Sequence, residues 1–262
     1  MNHFINTFSL NILFLFLSIQ IATADCGVGL IFHPQNPSVH KNTKIIIEAY
    51  GWGAYETLLE DLGDKYPIYL NSKSRKICLI KEKFIKGQYG LVQAIFKLEE
   101  TLTGGEVYEL EVENLSRVDQ KYFDNLERWK DGAYEKVHWI AKDEFDTQSP
   151  EIIKEIEFSD TELIHFGCGP GVVSNFKFKA KDKSELFIWT ELAEIESGES
   201  STYFVLATDN QVSIGHGMCA GAFEMKKGKR YKIRFKFYDI NGNTDDEWSG
   251  WMGCENPWKK DE

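Results

Sequence analysis

An all-β fold, arranged as two tandem β-sandwiches after a signal peptide, is predicted by three features of the chain. These are stretches alternating apolar with polar residues, an internal repeat, and a scarcity of helical spacing. The clearest stretch is Val107 to Asn114, where Tyr108, Leu110 and Val112 point one way and Glu109, Glu111 and Glu113 the other. A helix would scatter those glutamates around its circumference; a half-buried strand puts them on one face.

The other strands follow in order. In the first half they are Lys44 to Tyr50, Tyr66 to Leu70, Lys76 to Ile80 and Leu91 to Phe96, with Gly, Asn and Ser clusters between them. In the second half Ser174 to Ala180 alternates with Phe176 and Phe178 on one face. Leu186 to Trp189 and Tyr203 to Leu206 are further strands, and Tyr231 to Phe237 alternates apolar with basic residues. Asp119 to Arg128 has helical spacing, with Tyr122, Phe123 and Leu126 on one stripe; Val137 to Ile140 then returns as a strand. Pro150 suits a boundary, because proline cannot donate to a β-ladder. The expected organisation is a leader over 1–24, a first sandwich over 25–142 and a second over 143–262.

The repeat pairs Leu102-Thr103-Gly104-Gly105-Glu106-Val107-Tyr108 with Met225-Lys226-Lys227-Gly228-Lys229-Arg230-Tyr231. Both read apolar-x-x-Gly-x-x-Tyr and continue as x-apolar-x-apolar, with the tyrosines 123 residues apart. That distance is one sandwich domain plus a connector. Here the chain resembles tandem fibronectin type III and related immunoglobulin-like domains, of the kind found in exported, bacterial proteins. The resemblance implies a tyrosine corner at Tyr108 and at Tyr231, each hydroxyl bonding back to the preceding turn. It identifies architecture, not activity. True immunoglobulin domains carry a cysteine two positions after that tyrosine; Leu110 and Ile233 stand there instead.

Composition narrows the address and the partners. The apolar stretch Ile12 to Leu17, followed by Ala22-Thr23-Ala24, reads as a secretory signal peptide with a small-residue cleavage site. Asn11, Ser18 and Gln20 interrupt it well short of the ~20 apolar residues a membrane span needs, and no later segment is apolar enough. The chain is expected to be secreted, periplasmic or cell-surface. A net charge of −11 argues against nucleic acid as a partner, which requires basic surface. A protein or glycan partner is expected.

Five cysteines follow the leader, and an oxidising compartment makes disulfides the default. The expected pairs are Cys26 with Cys78 and Cys168 with Cys219, leaving Cys254 over. Two other roles for Ile214-Gly215-His216-Gly217-Met218-Cys219 stay open. Cys219 could be a nucleophile with His216 or His165 as base. Alternatively His165, Cys168, His216 and Cys219 could ligate zinc. Export favours the bridge, because an oxidised cysteine neither attacks nor ligates.

Two further constellations carry weaker signals. Asp239, Asn241, Asn243 and Asp245 place oxygens at alternating positions, as calcium loops do, but Thr244 and Gly250 stand where an EF-hand needs Gly and Glu. Trp52, Trp248 and Trp251 are candidate ligand-facing aromatics that could stack on sugar. The alternative is that Trp139 and Trp189 are core while the C-terminal tryptophans cover a sheet edge or the domain junction. No nucleophile elbow, zinc-protease motif or phosphate loop is present, so no catalytic residue and no cofactor are expected. The overall reading is a non-enzymatic binding or structural module, with a carbohydrate-binding module or an extracytoplasmic hydrolase as alternatives.

Overall fold

The computed structural model describes residues 29–50, 53–123, 126–130, 133–167 and 169–259. The expected leader at 1–24, Cys26, Trp52 and Cys168 lie outside them.

The first half forms one hydrogen-bonded ribbon of eight strands, ordered β1-β3-β6-β5-β4-β7-β10-β2. These are β1 Gly29–His33, β2 Ser38–Val39, β3 Ile45–Tyr50, β4 Ile68–Asn71, β5 Lys76–Lys86, β6 Leu91–Leu98, β7 Val107–Val112 and β10 His138–Ala141. The eleven-residue β5 pairs with β4 through Lys76 to Cys78 and with β6 from Leu79 onward, with a register shift between Lys81 and Lys83. A bulge sharpens twist, and the ribbon folds over on itself. Ile47, Ala49 and Phe96 from one end join Leu70, Tyr108 and Trp139 from the other in one buried cluster.

Two short helices depart from the expected layout. Helix α1 spans Ala54–Asp61 and buries Tyr55, Leu58 and Leu59, an i, i+3, i+4 stripe that sequence reading passed over. The helix expected over 119–128 is a single turn, α2, Arg117–Gln120, N-capped by Ser116, whose side chain accepts from the Asp119 N–H. The chain then pairs β8 Glu127–Lys130 with β9 Ala133–Lys136 as a hairpin. The stripe itself still packs: Phe123 is buried, and Tyr122 and Leu126 lie against the same core.

The second half stacks two sheets. One is β11-β12-β15, from Glu151–Phe166, Gly169–Lys181 and Gln211–His216. The other is β14-β13-β16-β17, from Ser200–Leu206, Leu186–Glu194, Tyr231–Asp239 and Met252–Cys254. Their inner faces meet edge-on through aromatic pairs, Phe176 with Phe235 at 5.1 Å and Phe178 with Phe237 at 5.0 Å. Along β16, Tyr231, Ile233, Phe235 and Phe237 are buried, as the alternation requires.

Tyr108 and Tyr231 sit in different sheets and different hydrophobic clusters. Each forms the same corner. The Tyr108 hydroxyl accepts from the Thr103 N–H at 2.9 Å, and that of Tyr231 accepts from the Lys226 N–H at 2.9 Å. Gly105 and Gly228 both take positive φ, at 81° and 71°, where a side chain would be strained. Leu102 and Met225, the apolar residues that open each motif, are both buried.

Candidate functional site

The two halves meet over a broad surface. Ile46 and Ile95 from β3 and β6 pack with Phe187 and Ile240 in a small buried cluster of their own. Beside it, the Tyr203 hydroxyl donates to Glu48 Oε2 at 3.0 Å, and the Gln93 amide donates both to Glu48 and to the Phe204 carbonyl. Desolvation raises the Glu48 carboxyl above its usual range, against the two hydrogen bonds that lower it. Burial and the neighbouring carboxylate push the Tyr203 hydroxyl well up, so it stays a donor. Trp189 is half-buried here rather than core: it lies against Phe204, with the Lys83 ammonium of β5 over its ring at 4.6 Å. Trp139, in contrast, is fully buried and donates its indole N–H to the Pro34 carbonyl.

One end of the junction holds the distinctive Gly-His-Gly segment. Tyr89, in the β5–β6 turn, stacks on His216 at 4.2 Å, and the Gly221 N–H donates to the Tyr89 carbonyl at 2.6 Å. Gly215 and Gly221 are packed too closely for any side chain. A side chain on Gly215 would meet the Val172 carbonyl oxygen at 2.0 Å, and one on Gly221 the His216 Cα at 2.3 Å. Cys219 is disulfide-bonded. A bonded sulfur is neither nucleophile nor zinc ligand. Cys78 is a free thiol, against the bridge expected with Cys26. Cys254 is also free, and burial pushes its thiol up to about 12.

The other end gathers oxygens. Asp146 comes from the connector between β10 and β11, Asp182 from the β12–β13 turn and Asp239 from the end of β16. Each offers a carboxylate oxygen, all within 4.8 Å of one another. Asp146 and Asp239 are buried. Asn241 donates through Nδ2 to Ser184 Oγ, Asp239 Oδ2 and Asp146 Oδ2 at 2.8, 3.1 and 3.3 Å. Asn243 donates to Asp239 Oδ2 at 2.7 Å and to the Asp146 carbonyl. His40, also buried, sets Nδ1 3.1 Å from Ser184 Oγ and 3.8 Å from Asp146 Oδ2. Burial, with the charges of Asp239 and Asp146 adding to it, raises Asp182 to about 6, against the Ser184 and Lys183 backbone hydrogen bonds that lower it. Asp239 is raised as well, chiefly by burial.

The structure thus unites three of the four oxygen residues singled out from spacing, Asp239, Asn241 and Asn243. The fourth, Asp245, is exposed on the following loop. Asp146 and Asp182 were not legible as partners, because they arrive from separate turns.

The C-terminal tryptophans form a ladder on the outer face of β16. Lys232, Arg234 and Lys236 share that face. Trp251 lies between Lys232 at 4.5 Å and Arg234 at 4.7 Å, and Trp248 between Arg234 at 4.4 Å and Lys236 at 5.4 Å. Ser249, between the rings, accepts from the Phe235 N–H through its hydroxyl and donates its own N–H to the Phe235 carbonyl. Glu191 pairs with Arg234 from β13. Cations thus pack against both rings, while Trp251 stays 41% exposed.

No family model matches the chain, and no curated protein matches it. Solved structures similar to it include a pullulanase complexed with maltotriose from Anoxybacillus sp. LM18-11, at 9% identity and TM-score 0.25, covering 81% of this chain and 25% of that one. A type I pullulanase from Bacillus subtilis str. 168 complexed with maltose shows 8% identity and TM-score 0.23, covering 88% and 25%. A chain of a cytokine receptor complex shows 10% identity and TM-score 0.25, covering 86% and 94%. This chain spans about a quarter of the length of the two pullulanases. At such scores, the fold rests on the contacts described above.

Proposed function

We propose that the chain is an exported, non-enzymatic binding module of two fibronectin- or immunoglobulin-like sandwiches, divided near residue 143. The observation that carries this reading is the joined surface between the halves. Glu48, Gln93 and Tyr203 tie β3 and β6 to β14, while Tyr89 docks on His216. Loops from both halves are then held in one arrangement, and a preorganised surface spends less ordering entropy when a partner binds. Export, inferred from the leader, agrees with a disulfide at Cys219; we assign its partner as Cys168.

The hydrolase alternative loses its nucleophile to that bond. The carbohydrate alternative would need open aromatic faces; Trp248 and Trp251 pack on cations, and Trp251 remains 41% exposed, so this alternative is kept as the second reading.

Capture from cell-surface extract by the immobilised mature chain, read by mass spectrometry, tests the reading. A protein retained saturably by the native chain and lost on heat-unfolded chain supports it. Enrichment no greater than on the unfolded chain overturns it. Oligosaccharide titration followed by tryptophan fluorescence separates the sugar alternative, for which saturable quenching is required.

A further inference from the structure

We infer that Asp146, Asp182 and Asp239 form a calcium site, with Asn241 beside them, that clamps the junction of the two halves. The three carboxylates come from three segments, and their oxygens lie within 4.8 Å of one another. Calcium takes oxygen ligands at about 2.3–2.6 Å, so oxygens on opposite sides of one ion stand about 5 Å apart. The spacing therefore fits a single ion. Among the described residues, no lysine or arginine forms an ion pair with any of the three. Three negative charges this close repel unless a cation or a proton intervenes.

A second observation is independent of the acids. Asn241 is 8% exposed; its Nδ2 faces the carboxylates, and its Oδ1, which a half-turn of the amide would bring to them, is buried with no hydrogen-bond partner. A buried carbonyl oxygen left without a donor costs about 1–3 kcal/mol, and calcium is the kind of ligand that amide oxygens satisfy. Asn241, Asp182, Ser184 and His40 also line a cavity of about 230 Å³, which gives an ion and its remaining waters room to enter. The donor set is almost wholly oxygen, which selects hard cations over zinc or copper. Irregular spacing from three separate segments suits calcium better than magnesium, which demands a near-octahedral cage.

The inference does not depend on the binding reading above, since it concerns what holds the junction together. It is tested by calorimetric titration of calcium chloride into the chelator-stripped full chain, with melting curves alongside. One calcium per chain is expected, with the melting temperature raised by several degrees at about 5 mM calcium, as for any ligand of the folded state. D182N should weaken binding at least about tenfold, because one of three charged ligands is lost. D245N, on the exposed acid of the same loop, should leave binding unchanged. Neither heat nor a melting shift up to about 10 mM calcium, the weak end for extracellular modules, overturns the inference. Equal binding by D182N overturns it as well. Should D182N not fold, crystals of the native chain soaked in calcium decide: density at the three carboxylates supports the site, and its absence there removes it.

Discussion

The hydroxyl of Tyr203, on a strand of the second half, donates a 3.0 Å hydrogen bond to the carboxylate of Glu48, on a strand of the first. Gln93 donates to the same oxygen at 2.8 Å. This is a charge-assisted pair at a desolvated boundary, where removing one partner strands the other. Y203F should cost about 1.5–3 kcal/mol, the usual worth of a hydrogen bond to a charged group. Chemical denaturation at neutral pH measures it, and a loss under about 0.5 kcal/mol would mean water replaces the hydroxyl.

The same carboxylate gives stability a pH dependence with a definite sign. Burial raises the folded Glu48 carboxyl above its usual value of 4.5, so above that pH the folded chain holds the proton more tightly. Its contribution is complete below the unfolded value and is lost as pH rises through the folded one. E48Q removes that slope. Wild-type stability relative to E48Q should therefore fall as pH rises above 4.5; a difference that stays flat from there to neutral pH would contradict the assignment.

Both tyrosine corners predict similar penalties in separate cores. Y108F and Y231F each leave a main-chain N–H, of Thr103 or Lys226, without its acceptor. Each should cost about 1–3 kcal/mol. Because the two lie in different clusters, the double variant should show nearly the sum. Urea unfolding of all three chains checks this.

Gly215 is the least replaceable glycine named above. Its φ is 135°, and a Cβ would sit 2.0 Å from the Val172 carbonyl oxygen on the paired strand β12. G215A should destabilise by more than about 3 kcal/mol or prevent folding, as strain at a special backbone position does. Expression yield and thermal melting report it; a fall in melting temperature of only a degree or two would show that β15 can shift.

Arg234 is held by two rings and by Glu191. R234A should cost about 1–3 kcal/mol, and R234K should recover only part, because lysine lacks the planar fork that stacks and pairs at once. Tryptophan emission should shift to the red in R234A as Trp248 and Trp251 lose their cover.

How much of this was legible beforehand depended on distance along the chain. The alternation in Val107 to Val112 and Tyr231 to Phe237 fixes which face is buried, since side chains on a strand alternate by local geometry alone. The Gly-x-x-Tyr corner was readable for the same reason: its hydrogen bond spans five residues. Helix α1 was readable too, through Tyr55, Leu58 and Leu59, but about two turns of helix between strands are easily read as loop. The stripe at Tyr122, Phe123 and Leu126 misled, because the same apolar residues pack from a turn and a hairpin as well as from a helix.

Everything that joins the halves was decided by tertiary structure. Asp239, Asn241 and Asn243 are near one another in the chain, yet nothing local ties them to Asp146 or Asp182, nor places Tyr203 against Glu48. Nor does anything local set Arg234 of β16 against both Trp248 and Trp251. Local patterning follows from the backbone's own period, whereas these partners are chosen by which loops and sheet faces the folded chain brings together.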